Sequence, residues 1–339
     1  MRAIYIRRPG GPEVLEVRDV ADPTPGGNEV VIRVQAAGIN FADVLARQGI
    51  YPDAPPYPCV VGYEVAGVVT AVGSAALQKW IGKEVLALTN FGGYAELARC
   101  DANYVWEKPA GLSFETAAAI PLTYITAWAL LVASGRVGDG DLVLIHNAGG
   151  GVGLAAIDIA RRFGATTIGT ASARKHDFLK SRGLDHAIDY TQGDWVKEVR
   201  ALTRGKGVTL AIDPLGGVNW KKTYSVLQPT GRMGMFGIST AAKGGGPLAK
   251  LNLAKLALAT PIFHPFKMIP ANRGVFGINI HGMYGEHEKF TAWMREILAG
   301  AQAGWLRPHV DRIYKFGQAG EAHAWIEGRG NIGKVLLIP

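Results

Sequence analysis

Apolar and polar positions fall into two regimes along this chain. From about residue 121, short apolar runs alternate with segments of helical spacing. Leu142–Ile145 is apolar throughout and reads as a buried strand. Gly149, Gly150, Gly151 and Gly153 follow, and then Val152, Ala155, Ala156, Ile159 and Phe163 recur at helical intervals until Gly164 stops the run. The alternation continues with strands at Thr166–Ala171, Ala187–Tyr190, Val208–Asp213 and Arg232–Gly237. Helices are predicted at Lys175–Arg182, Asp194–Thr203 and Trp220–Leu227. Strands alternating with helices predict an α/β fold built on a doubly wound parallel sheet.

The first 120 or so residues differ. Val14–Val17, Glu29–Val34, Val60-Val61 and Val65–Val72 carry β-branched residues with polar alternation, broken by glycines. Pro52, Pro55, Pro56 and Pro58 stiffen the loop from Tyr51 to Cys59. A small, irregular, barrel-like β domain is expected here. After Gly274–Ile280, which reads as a strand, and a helix near Glu288–Ala301, the tail to Ile338 is again β-rich. It is expected to return to the first domain, giving 1–121 with 264–339 and an intervening domain at 122–263. Residues 241–272 are the least readable: Leu248–Leu258 has helical character, and Phe263, Phe266, Met268 and Ile269 are apolar. A lid, a membrane-surface contact and an interface are all open, with burial at an interface favoured.

Length and composition narrow the function class. The chain has 339 residues, 48% of them hydrophobic and 19% charged, enough for two cores and unlike a disordered protein. The net charge of +8 is scattered rather than blocked, which argues against nucleic-acid binding and suits an enzyme of anionic ligands. Cys59 and Cys100 are the only cysteines, so a reducing, cytoplasmic setting is expected, and whether the two meet stays open. No signal peptide and no membrane-spanning run are read.

The glycine run carries the chemistry. Strand, glycine turn and helix, with a second strand about twenty residues on, form the opening of a dinucleotide-binding unit. The glycines let backbone approach a pyrophosphate, and the helix N-terminus offers free N–H groups to it. An NAD site usually ends its second strand on an acid that bonds the ribose 2′-hydroxyl. Here Ala171 is followed by Ser172, Ala173, Arg174 and Lys175. A hydroxyl and cations suit a 2′-phosphate, so NADP(H) is the expected cofactor.

Asn147–Gly153 resembles the glycine turn of the zinc-independent quinone oxidoreductase branch of the medium-chain dehydrogenase/reductase superfamily. Gly38–Asp43, Gly49–Pro52, Gly62–Gly67, Pro121–Ala127 and Asn331–Val335 resemble that branch's other motifs, so the likeness runs the length of the chain. Asp213–Gly217 and Ala271–Gly277 look like the subgroup of synaptic vesicle membrane protein homologues. The resemblance implies a GroES-like catalytic domain, a Rossmann domain and a homodimer or homotetramer joined near Val275–Ile280. It also implies cofactor roles. Gly149, Gly150, Gly151 and Val152 would carry the pyrophosphate, and Ser172, Lys175 and Tyr190 the 2′-phosphate. Phe236, Gly237 and Ser239 would lie beside the ribose and nicotinamide, and Phe276 and Ile278 at the carboxamide. Thr126, Asn331 and Lys334 would be further contacts.

Zinc-dependent members hold their metal through a cysteine near position 40 and a Gly-His-Glu motif. This chain has Asn40 and Gly62-Tyr63-Glu64, and too few cysteines for a structural zinc lobe. No metal is expected. Without a Lewis acid, reduction of an acceptor that carries its own carbonyl is favoured over alcohol oxidation. The expected activity is therefore reduction of a small hydrophobic quinone or enone. Asn40, Tyr51 and Tyr63 are the candidates at the reacting centre, although Tyr51 and Tyr63 also have plain packing readings. An enoyl-thioester reductase and a non-catalytic NADPH-binding adaptor for RNA, membrane or protein are the alternatives.

Overall fold

The computed structural model describes residues 1–242 and 246–339, with side chains described outside 243–250. In the N-terminal part, β1 (Arg2–Ile6) pairs with β2 (Leu15–Asp19). β3 (Glu29–Ile39), β4 (Glu64–Val72), β5 (Glu84–Leu88), β6 (Leu97–Asp101) and β7 (Val105–Glu107) build an antiparallel sheet. α1 (Phe41–Arg47) leaves the end of β3, and α2 (Phe114–Ala118) and α3 (Pro121–Trp128) lead out of this part.

The alternating region follows. β8 (Leu142–His146), α4 (Gly151–Arg162), β9 (Thr166–Ala171), α5 (His176–Ser181), β10 (His186–Asp189), α6 (Trp195–Leu202), β11 (Val208–Asp213), α7 (Val218–Ser225) and β12 (Leu227–Met235) appear in the expected order. Gly164 ends α4 at φ +74°, a left-handed value open to glycine. After α8 (Gly246–Ala259) and α9 (Pro265–Ala271) comes β13 (Gly274–Gly277). All pairings in the six-stranded sheet are parallel, in the order β10-β9-β8-β11-β12-β13.

β13 corrects the expected boundary at 263/264, because Met233 and Gly234 of β12 pair with Val275 and Phe276. The strand therefore belongs to the parallel sheet, and it stops at Gly277 rather than reaching Ile280. The return to the first sheet comes later. α10 (His287–Gln302) packs on α3, β14 (Val310–Lys315) and β15 (Lys334–Ile338) pair in parallel, and α11 (Ala319–Glu327) lies between them. β15 pairs antiparallel with β3, Leu336 against Gly38. The tail thus joins the first sheet.

The segment of α8 and α9 is not buried within the chain: Leu258 and Ile262 are each 90% exposed and Phe266 82%. Among the described residues no helix is long and apolar enough to cross a membrane. Cys59 and Cys100 are both buried and free, so they form no disulfide.

Candidate active site

A cavity of about 1170 Å³ runs between the two sheets. That is large enough for a dinucleotide and an acceptor together. Gly150, Gly151, Val152 and Gly153 form its middle wall at the start of α4. A helix's first amides have no carbonyl partner within the helix, so this wall presents N–H groups and the positive end of the helix dipole. The turn is crowded. A Cβ on Gly153 would lie 2.5 Å from the carbonyl oxygens of both Asn147 and Ala148. Gly333 N–H donates to the Gly149 carbonyl at 2.8 Å, so the loop before β15 fastens the turn from outside.

His146 ends β8 on the same wall but is a packing group. Its ring nitrogens meet Thr170 Oγ1 and Thr223 Oγ1, each at 3.0 Å, and burial lowers its pKa. Thr223 donates to Asp213, whose other oxygen accepts from Leu215 N–H, both at 2.7 Å. The Asp213 carboxylate thereby shapes the 214–219 loop, which lines the cavity through Pro214, Leu215 and Asn219.

At one end of the cavity stand Asn40, Tyr51 and Tyr63. Asn40 caps α1, and its side chain is held from two directions. Its Nδ2 donates to Glu64 Oε1 at 2.9 Å, and Lys334 Nζ donates to its Oδ1 at 2.5 Å. Lys334 also pairs with Glu64, both side chains being almost wholly buried. Glu64 Oε2 takes the Leu122 N–H at 2.7 Å. Glu64 is therefore structural and fully partnered. Tyr63 is 2% exposed, and its hydroxyl makes no hydrogen bond of ordinary geometry, with only the Tyr51 phenol near it. Burial, with Tyr51 beside it, raises its pKa far above that of a free phenol. Tyr51 packs edge-on to Tyr63, 6.2 Å between ring centres, and burial raises its pKa too.

Behind α1, Asp43 accepts from Asn40 N–H, Gly62 N–H and Tyr94 O–H at 2.8, 3.0 and 3.0 Å. Burial outweighs these donors and pushes its carboxyl up to about 7. Asp43 fixes both the Asn40 backbone and the loop leading to Tyr63.

Of the residues expected to touch the cofactor, Thr126, Tyr190, Phe236, Gly237, Ser239, Ile278 and Asn331 line the cavity. Gly149, Ser172, Lys175 and Phe276 are not part of its wall. The Lys175 stem lies against Gly149, and Nζ donates to the Asn331 carbonyl at 2.5 Å, which leaves Lys175 5% exposed and its pKa lowered to about 8 by burial. Arg174 donates to the carbonyls of Arg329 and Gly330. Phe276 turns its ring onto Gly234 instead. Among the described residues, Lys222, Arg329 and Lys334 are the lysines and arginines that line the cavity. Sequence reasoning missed Lys222 and Arg329, which have no motif around them. His281 also lines the cavity and stands in no motif of the sequence.

Two family models match, the alcohol dehydrogenase GroES-like domain over residues 26–110 and the zinc-binding dehydrogenase model over 151–291. The human synaptic vesicle membrane protein VAT-1 homolog is 37% identical over 331 residues, covering 96% of this chain and 82% of that protein. The chain belongs to the medium-chain dehydrogenase/reductase superfamily. Among solved structures, Escherichia coli quinone oxidoreductase complexed with NADPH superposes with a TM-score of 0.88 at 30% identity, covering all of both chains. CurK enoyl reductase gives 0.85 at 27% identity, covering 99% of this chain and 98% of that one. In this superfamily member the positions that resemble zinc ligands hold Asn40, Tyr63 and Glu64. Among the described residues no group of three or more His, Cys, Asp or Glu side chains could hold a metal ion.

Proposed function

We propose that the protein is an NADPH-dependent, zinc-independent reductase of quinones or α,β-unsaturated carbonyls. The observation that carries this reading is the Lys334 ammonium held between Asn40 and Glu64. A fixed cation already neutralises the one carboxylate of the set. The remaining amide and phenol are poor zinc donors, so this donor set fits an ammonium and not a divalent ion.

The cavity fits the dinucleotide. The pyrophosphate would lie on Gly150, Gly151 and Val152, with Thr126, Phe236, Gly237, Ser239, Ile278, Asn331 and Lys334 as further contacts along the wall. Tyr190, Lys222 and Arg329 would take the 2′-phosphate. When bound, NADPH supplies a hydride. The chain's residues then do what remains. Asn40 is locked in one orientation by Glu64 and Lys334. Tyr51 and Tyr63 wall the acceptor off from water. The Tyr63 phenol, held protonated by burial, donates to the oxygen on which charge gathers.

The test is NADPH consumption with 9,10-phenanthrenequinone and a panel of enones, with chelator present. Turnover that survives chelation is expected. A wild-type protein that reduces none of them sinks the reading. The likeness to CurK enoyl reductase supports a second reading, an enoyl-thioester reductase, and faster turnover of crotonyl-coenzyme A than of any quinone would favour it. We also propose that the catalytic part comprises residues 1–121 and the chain after β13, that the protein is a homodimer joined through the outer edge of β13, and that it is cytoplasmic. The edge position of β13, the exposed apolar side chains beside it and the free thiols support these readings.

A further inference from the structure

At the acceptor end of the cavity Tyr51, Tyr63 and His281 line the wall, and the Phe91 and Tyr284 rings pack behind them. Tyr63 lies 4.5 Å from Phe91, and His281 lies 6.5 Å from Tyr63 and 6.1 Å from Phe91, ring centre to ring centre. Tyr284 backs His281, 5.9 Å between ring centres, from outside the cavity wall. His281 begins a short turn after β13, and its backbone N–H donates to Asn279 Oδ1 at 3.1 Å. Asn279 in turn donates to Asp53 at 2.9 Å, which ties this turn to the proline loop carrying Tyr51.

Two polar atoms here are buried without a hydrogen bond of ordinary geometry: the Tyr63 hydroxyl, which has only the Tyr51 phenol near it, and His281 Nδ1. Buried donors without acceptors are costly, and two of them beside one cavity mark the place where a ligand acceptor belongs. The rings around them suit a flat, apolar body. We propose that His281 is a substrate-binding residue: with its proton on Nδ1, it holds the carbonyl oxygen of a planar aromatic acceptor jointly with Tyr63. This rests on the reductase reading above and narrows its substrate class to aryl carbonyls and aromatic quinones.

The experiment compares His281→Phe with His281→Asn, whose amide nitrogen takes the place of Nδ1. The expected result is that His281→Phe lowers kcat/KM for phenanthrenequinone at least tenfold, that His281→Asn recovers much of the loss, and that neither changes Kd for NADPH or Tm. Wild-type kcat/KM in His281→Phe, or no recovery in His281→Asn, overturns the assignment. Should His281→Phe fail to fold, His281→Asn is compared with His281→Gln, which mimics the other ring nitrogen. Equal activity of that pair overturns the proposal. If the wild type reduces no quinone or enone, the reductase reading itself falls. If it does and His281→Phe does too, only the role of His281 falls.

Discussion

Lys334 reaches Asn40 across 294 positions of sequence and donates to its side-chain oxygen. The same ammonium neutralises Glu64. One lysine from β15 therefore sets the orientation of an amide at the start of α1 and satisfies a carboxylate at the start of β4. Lys334→Met would leave that carboxylate buried without its cation. A loss of about 3–5 kcal/mol is expected, read from urea unfolding midpoints. Adding Glu64→Gln should restore most of the stability but not NADPH turnover. A single variant that loses less than about 1 kcal/mol would show the pair to be dispensable.

Asp43 makes stability depend on pH. Its folded carboxyl is raised to about 7 from 3.8, so the folded state holds the proton more tightly than the unfolded chain. Its contribution is complete below about pH 4 and is lost as pH rises towards about 7. His146 and His323 act in the opposite sense. Both are depressed by burial below 6.5, so they cost stability as pH falls through that value. The Asp43 component is isolated by comparison. The wild type should lose stability relative to Asp43→Asn between pH 4 and 7, and parallel urea midpoints across that window would contradict the shift.

Gly153→Ala tests the turn. The added methyl meets two backbone carbonyl oxygens that cannot swing aside. A destabilisation of about 1–3 kcal/mol is expected, together with weaker NADPH binding as the first turn of α4 moves. Calorimetry with and without NADPH measures both.

Arg329 lines the cavity, whereas Lys175 is turned towards Asn331. Arg329→Ala should weaken NADPH binding about tenfold, the worth of a charged hydrogen bond, and leave NADH binding nearly unchanged. Lys175→Ala should cost less in NADPH affinity. The reverse order in fluorescence titrations would return Lys175 to the role its sequence position suggests.

The turn at Asn147–Gly153 and the strands and helices around it were legible because their signals are local: glycine clusters, a period of two or three to four, and a stop at Gly164. Asn40 and Lys334 were each legible as motif residues, but their hydrogen bond was not, since nothing local relates the ends of β3 and the start of β15. Lys175 shows a related limit. Adjacency to the end of β9 sets it in sequence beside the expected 2′-phosphate site, but no local signal announces the three carbonyls of the returning tail to which it and Arg174 donate. β13 is too short and too glycine-flanked to announce which sheet it joins. His281 sits in a turn with no periodicity at all, and only the rings around it in space give it meaning.

The hydrogen bond from Gly333 to Gly149 has a consequence for synthesis. The ribosome makes the glycine turn long before it makes Gly333 and Lys334. Until those residues are joined on and β15 docks beside β3, the turn has no clasp and Asn40 has no cation beside it. The nucleotide turn and the Asn40 end of the cavity therefore take their final form through one and the same docking event.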